Sequence, residues 1–193
     1  MNEIWSIWES GGWVMVPLFT LAVLLYAHAF QLVMYVRRTA LNRRNEMQWR
    51  EWVRSPASAE GRVSEIIRYT QSDVSSEKHV RRRFEEIRLG LTAVIDRRSR
   101  FIGTMVAAAP LLGLLGTVLG MLQTFFGIST SGGSEAAGVV ASGISEALVT
   151  TQTGLMIALP GLFMVMMIRH QRNNLEACLA RLESLTLGHF NFD

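Results

Sequence analysis

A chain of 193 residues that is 49% hydrophobic, with a mean hydropathy of +0.23, is too apolar for a set of soluble domains, and its apolar residues come in blocks, which reads as a membrane protein. The formal charge of +3 does not point to nucleic acid, because sixteen of the 19 Lys and Arg lie between Arg37 and Arg100 and only Arg169, Arg172 and Arg181 follow, a segregation that membrane topology produces. One cysteine, Cys178, excludes an intrachain disulfide and a multi-thiolate metal site, and no nucleophile and base pair, metal-ligand cluster or phosphate-binding glycine loop marks an enzyme or a cofactor.

Residues 1–12 carry Glu3 and Glu9 and no basic residue, so they lack the positively charged start of a secretory signal, and the first apolar run is expected to be retained. Trp5, Trp8 and Trp13 suit a membrane interface, where an apolar ring with one donor is well placed. The first predicted span is 13–36, ended by Arg37 and Arg38, and the absence of Lys and Arg before it predicts an outside N-terminus. His28, in its inner half, is either a proton relay or a neutral ring bonded to a neighbouring helix. The second reading is favoured because no acid lies near it in sequence.

Residues 37–100 are densely charged and belong in water or at the lipid headgroups. A helix is predicted over 37–54, broken by Ser55-Pro56 and Gly61. Val80, Phe84, Ile87, Leu91, Val94 and Arg98 recur at spacings of three and four and predict an amphipathic helix, capped by Ser75 or Ser76 and running without a break into the second span. Arg81, Arg82 and Arg83 read as a solvated face paired with Glu85 and Glu86 rather than as a contact for anionic lipid.

The second predicted span, 101–126, holds Gly113, Gly116 and Gly120 at helical spacing, which suits close helix packing in lipid. Pro110 predicts a kink. A short external loop, 127–138, contains Gly132-Gly133 and Glu135 and leads to the third span, 139–168. There Ser142, Glu146, Thr150 and Thr153 share one helical stripe, and Thr151 lies about 140° round from Glu146. Gly154 and Ala158 form a second small-residue pair, and Pro160 with Gly161 allows a second bend. In 169–193, Leu175, Leu179, Leu182 and Leu185 continue an amphipathic stripe into a cytoplasmic tail. The fold class predicted is an all-α integral membrane protein, three transmembrane helices with N-out and C-in, and long helices extending into the cytoplasm.

Glu146 is the only charged residue between Ala136 and Ile168. An ionised carboxylate inside a bilayer costs on the order of 3 kcal/mol, so it lines a cavity or pairs with a partner. The spans contain no Lys or Arg to pair with it. The acid is therefore either protonated or satisfied by a hydrated lumen or another polypeptide, which suits an ion path. Packing as a neutral acid bonded to Ser142 or Thr150 is the alternative. Helical rise puts Glu146 and Thr117 at similar depths in an antiparallel pair.

GLLGTVLG (Gly113–Gly120) followed by EALVTTQTGLMIALPG (Glu146–Gly161) resembles the signature of the ExbB/TolQ proton-channel family, related more distantly to the flagellar stator subunit MotA. The resemblance covers both long spans, and the three-span layout favours ExbB/TolQ, since MotA-like stators usually have four. It implies a homo-oligomer, a pentamer around a central lumen, in a bacterial inner membrane. It further implies that a dimeric single-span partner resembling ExbD or TolR enters the lumen and supplies the aspartate that carries the proton, with a TonB- or TolA-like transducer receiving the work. Thr117, Glu146 and Thr151 fall where the family places lumen-lining polar residues that solvate and gate the partner's acid. Gln152-Thr153 depart from the smaller or apolar residues usual there and leave the coupled ion and the partner open.

Two readings compete. In one the chain is a subunit of a proton-motive-force-driven motor, serving uptake, envelope constriction, gliding or secretion. In the other it is a non-conducting scaffold held by small-residue packing, for which Glu146→Gln is silent.

Overall fold

The computed structural model describes residues 11–39, 46–56, 59, 61–72, 76–130 and 134–190. The expectations placed on Trp5, Trp8, Ser75 and Gly132-Gly133 lie outside these residues. Five helices follow in order: α1 (Met15–Thr39), α2 (Glu46–Arg54), α3 (Gly61–Gln71), α4 (Glu77–Thr130) and α5 (Ser134–Phe190). The described chain is all-α, as expected, and α1, α4 and α5 are long and apolar enough to cross a membrane. Contacts divide it into two units, Met1–Gln31 with Arg100–Met166, and Leu32–Ser99 with Met167–Asp193.

The first unit is apolar outside. Phe30, Leu111, Phe125, Phe126, Leu148 and Phe163 are all exposed, a surface suited to lipid or to neighbouring subunits. Inside, Val14, just ahead of α1, and Met15 and Leu18 of α1 pack with Ala109 of α4 and Ile157 of α5. Tyr26 donates its hydroxyl to the Ile157 carbonyl at 3.0 Å and ties α1 to α5. Hydroxyls elsewhere turn back on their own helix, Thr20 to the Val16 carbonyl at 3.0 Å and Thr104 to the Arg100 carbonyl at 3.1 Å, so that little polar surface meets hydrocarbon. Helical structure runs through Pro110 and Pro160, neither of which has an N–H to give to Val106 or Met156. His28 lies at the surface with Nδ1 2.8 Å from the Leu24 carbonyl and its ring 5.6 Å from that of Phe101. A carbonyl only accepts, so Nδ1 is the donor, and the bond stays within α1 instead of reaching a neighbouring helix.

The second unit has an aqueous character. Trp49 of α2, Ile67 of α3, Phe84 and Ile95 of α4, and Leu179 and Leu182 of α5 are fully buried. The α4 stripe departs from the expectation towards its end: Ile95, 0% exposed, and Ser99 are buried, whereas Val94, 37% exposed, and Arg98 lie at the surface. At 100° per residue Ile95 points about 20° from Phe84 and Val94 about 80°, so the 3.6-residue repeat wins over alternating threes and fours. Ser76 caps α4, its Oγ accepting from the Lys78 N–H at 3.3 Å. Gly61, with φ of +67°, opens α3 in a conformation that side chains disfavour.

Charges in this unit pair across helices. Arg172 grips Asp96 with two bonds, 3.0 and 3.1 Å, and reaches Glu176 at 2.6 Å. Arg88 meets Glu183 at 3.1 Å and Glu85 at 3.0 Å. In the arginine run, Arg82 pairs with Glu86 as expected, whereas Arg81 pairs with Glu77 and Glu183, and Arg83 reaches back to the Tyr69 and Ser72 carbonyls.

Gly90, inside α4, has nothing within 4 Å of where a Cβ would sit. Gly90→Ala removes the entropy cost of glycine in a helix and is expected to add about 0.5–1 kcal/mol of stability. A thermal melt in detergent should rise by about 1–4 °C. A lower midpoint would mean that another copy of the chain occupies that face.

Candidate functional site

α4 and α5 run antiparallel and touch along a seam of small residues. A Cβ on Gly113 would lie 3.0 Å from the Thr150 carbonyl oxygen, one on Gly120 2.6 Å from that of Gly143, and one on Gly154 2.7 Å from that of Ala109. A Cβ on Gly116 would overlap Thr150, coming within 2.5 Å of its Cβ. The obstacles are main chain or β-branched side chain, so these glycines sit where backbones approach closely, the arrangement that substitutes for a hydrophobic drive inside lipid.

The seam also fixes the register. Gly116 lies opposite Thr150 and Gly120 opposite Ala147, so Thr117 falls within about one turn of the height of Glu146.

The polar residues do not converge on one spot. Glu146 is 9% exposed, and its carboxylate lies against Gly12, ahead of α1. Thr150 is fully buried against α4 and its hydroxyl donates to the carbonyls of Glu146 at 3.0 Å and Ala147 at 3.1 Å. Thr151, half-buried, donates to Ala147 at 3.1 Å and makes a longer 3.4 Å contact across the seam to the Gly113 carbonyl. Thr153 bonds back to Val149 at 2.8 Å. Thr117 is half-buried, with its hydroxyl on the Leu114 carbonyl at 2.7 Å, and Ser142 is exposed. The shared stripe therefore splits: Ser142 faces outward, and the threonines spend their protons on main-chain carbonyls rather than on the Glu146 carboxylate.

Chemically this leaves Glu146 as a carboxyl enclosed by apolar helices, with no second acid or base placed beside it among the described residues. Among the described residues no three His, Cys, Asp or Glu are grouped to hold a metal.

Sequence reasoning passed over four residues of this region. Gly143 faces Gly120, and Thr124, buried, lies over Gly143 while its hydroxyl donates to the Gly120 carbonyl at 2.9 Å. Gly11 and Gly12 meet Val149 and Glu146. Their only signal was a glycine pair, which marks a turn without naming what the turn touches.

Residues 56–180 match the family described as the MotA/TolQ/ExbB proton channel family. Over 84 residues the chain is 43% identical to biopolymer transport protein ExbB-like 1 of Synechocystis, a match covering 39% of this chain and 33% of that protein. Biopolymer transport protein exbB1 of Vibrio cholerae is 44% identical over 61 residues, 32% of this chain and 27% of its own. The Tol-Pal system protein TolQ of Haemophilus influenzae is 39% identical over 67 residues, 34% of this chain and 28% of its own. The chain thus spans about a third of the length of the curated relatives it matches. With the family match taking in well over half of its residues, and with three apolar helices and one enclosed carboxyl, the chain belongs to the MotA/TolQ/ExbB proton channel family.

Proposed function

We propose that this chain is the channel subunit of a proton-motive-force-driven motor in a bacterial inner membrane, of the ExbB type, rather than an enzyme. The N-terminus lies outside and the C-terminus inside. Copies of the chain, five by the family resemblance, surround a lumen that holds a dimer of a single-span partner resembling ExbD or TolR. A TonB-like transducer carries the work to outer-membrane uptake.

The observation that supports this reading is the isolation of Glu146. It is enclosed, yet among the described residues the threonines of its stripe donate to main-chain carbonyls and not to its carboxylate, and the spans hold no Lys or Arg. A lone carboxyl makes an incomplete proton wire, and a second component with its own acid completes it. Thr117 and Ser142 have surface from which to face a lumen, and Thr150 and Thr151 line the seam between α4 and α5.

The similarity to TolQ favours a second role on the same chemistry, an envelope-constriction motor with a TolA-like transducer. A non-conducting scaffold needs only the glycine seam and leaves Glu146 without a task.

The test is proton uptake by liposomes holding the purified chain, with and without a co-expressed single-span partner, under a pH gradient and then a sodium gradient. Proton flux is expected only when the partner is present. An assembled complex that passes no protons would sink the channel reading, and copurification of a TonB-like or a TolA-like protein separates the two roles.

A further inference from the structure

Gly12 stands ahead of α1 with φ of +62°, a left-handed conformation. The space its side chain would take is filled by Glu146 from α5. A Cβ built on Gly12 would overlap Oε1 of that carboxylate and lie 2.6 Å from its Cδ and 3.3 Å from Oε2. Beside it, a Cβ on Gly11 would fall 3.3 Å from Cγ1 of Val149, one turn further along α5. The turn is not loosely placed: Val14, Met15 and Leu18, which follow it, are buried against Ala109 and Ile157, and the Met15 N–H donates to the Gly12 carbonyl at 3.2 Å.

Gly61 supplies an internal comparison. Its φ of +67° is nearly the same, but nothing lies within 4 Å of its missing Cβ. Backbone conformation alone calls for glycine at 61, whereas at 12 conformation and lack of space both do.

We propose that the Gly11-Gly12 turn is a positioning element for Glu146. Its main chain forms a wall on one side of the carboxyl, which leaves the acid one arrangement and one open side through which to exchange its proton. The inference rests on Glu146 lying on an ion path, and it adds the turn ahead of α1 to the surroundings of that path.

The physical asymmetry makes it testable. The wall is backbone anchored by a buried turn, and the carboxylate is the end of a side chain with three rotatable bonds. A methyl group at position 12 therefore displaces the carboxyl and not the helix. Displacements of about 1 Å at reacting groups cost up to about a hundredfold in rate.

Gly12→Ala and Gly61→Ala should be compared in the full chain assembled with its partner in liposomes, reading proton flux and the rate of carbodiimide labelling of Glu146 by mass spectrometry. Gly12→Ala is expected to lower flux by about tenfold or more and to raise the labelling rate severalfold as the carboxyl leaves its enclosure. Gly61→Ala, with the same backbone demand and open space, should change neither.

Should Gly12→Ala fail to assemble, solid-state NMR on wild-type protein labelled with 13C-glycine and 13C-glutamate reads the same contact. A Gly Cα to Glu carboxyl cross-peak is expected that disappears in Glu146→Gln. Absence of that cross-peak, or Gly12→Ala matching wild type in both labelling and flux, overturns the proposal. A wild-type complex that passes no protons while the cross-peak and the labelling change are present keeps the positioning role and removes the channel reading instead.

Discussion

Glu146→Gln is expected to cut partner-dependent proton flux at least tenfold, which is about 1.4 kcal/mol in the limiting barrier, while the complex stays assembled with an unchanged or higher melting midpoint. The amide occupies nearly the same volume as the carboxyl, so the contact with Gly12 and the packing around a 9%-exposed side chain need not change. What disappears is the exchangeable proton and the capacity for negative charge. Placing an ionised acid at this depth costs on the order of 3 kcal/mol, and the amide is spared that cost. Loss of transport and retention of stability should therefore separate, the opposite of what a packing residue shows. The measurements are liposome proton flux and a melt on the same preparation. Wild-type flux in the glutamine variant would return the chain to the scaffold reading.

Glu146 was legible in the sequence because an uncharged background makes one acid conspicuous, and the glycines of the α4–α5 seam because a spacing of three and four is what a helix turns into a stripe. Their partners were less legible. Gly143 and Thr124 close the seam at Gly120, yet neither stands in a repeat, and a buried threonine looks in sequence like any other helix hydroxyl. The Gly12 contact was invisible, since it joins residues 134 positions apart and a glycine pair records only permission for a turn.

Side-chain direction was the other failure. Ser142, Glu146, Thr150 and Thr153 do share a stripe by angle, but each hydroxyl had a nearer acceptor in its own helix, and Thr150 and Thr153 took it. Spacing says which residues neighbour one another and not which acceptor a rotating hydroxyl prefers. The same limit explains Val94 and Ile95, where two adjacent apolar residues both fitted a loose pattern and only the accumulated helical angle chose between them.

Gly120→Val is expected to lower the melting midpoint by about 6–12 °C and to dissociate the complex in detergent, through a loss of about 3 kcal/mol. Two effects oppose each other at this position. Removing glycine from a helix interior gains up to about 1 kcal/mol, and valine's branched side chain returns part of that gain. Against it, the first added carbon would lie 2.6 Å from the Gly143 carbonyl oxygen and 3.1 Å from the Ala147 nitrogen, both main chain, with the Ala147 Cβ at 3.2 Å. None of these can swing aside as the end of a side chain would. Relief requires α4 and α5 to part, which also draws Thr151 away from the Gly113 carbonyl, now 3.4 Å distant. Helices in lipid gain little from apolar burial against one another, so lost close approach is not offset by new hydrophobic contact. Gly138→Ala, on α5 with open space around the missing Cβ, is the matched control and should melt at or above the wild-type midpoint. Equal midpoints for Gly120→Val and wild type would show that the seam is looser than these distances allow, and that helix association in this chain rests on contacts elsewhere.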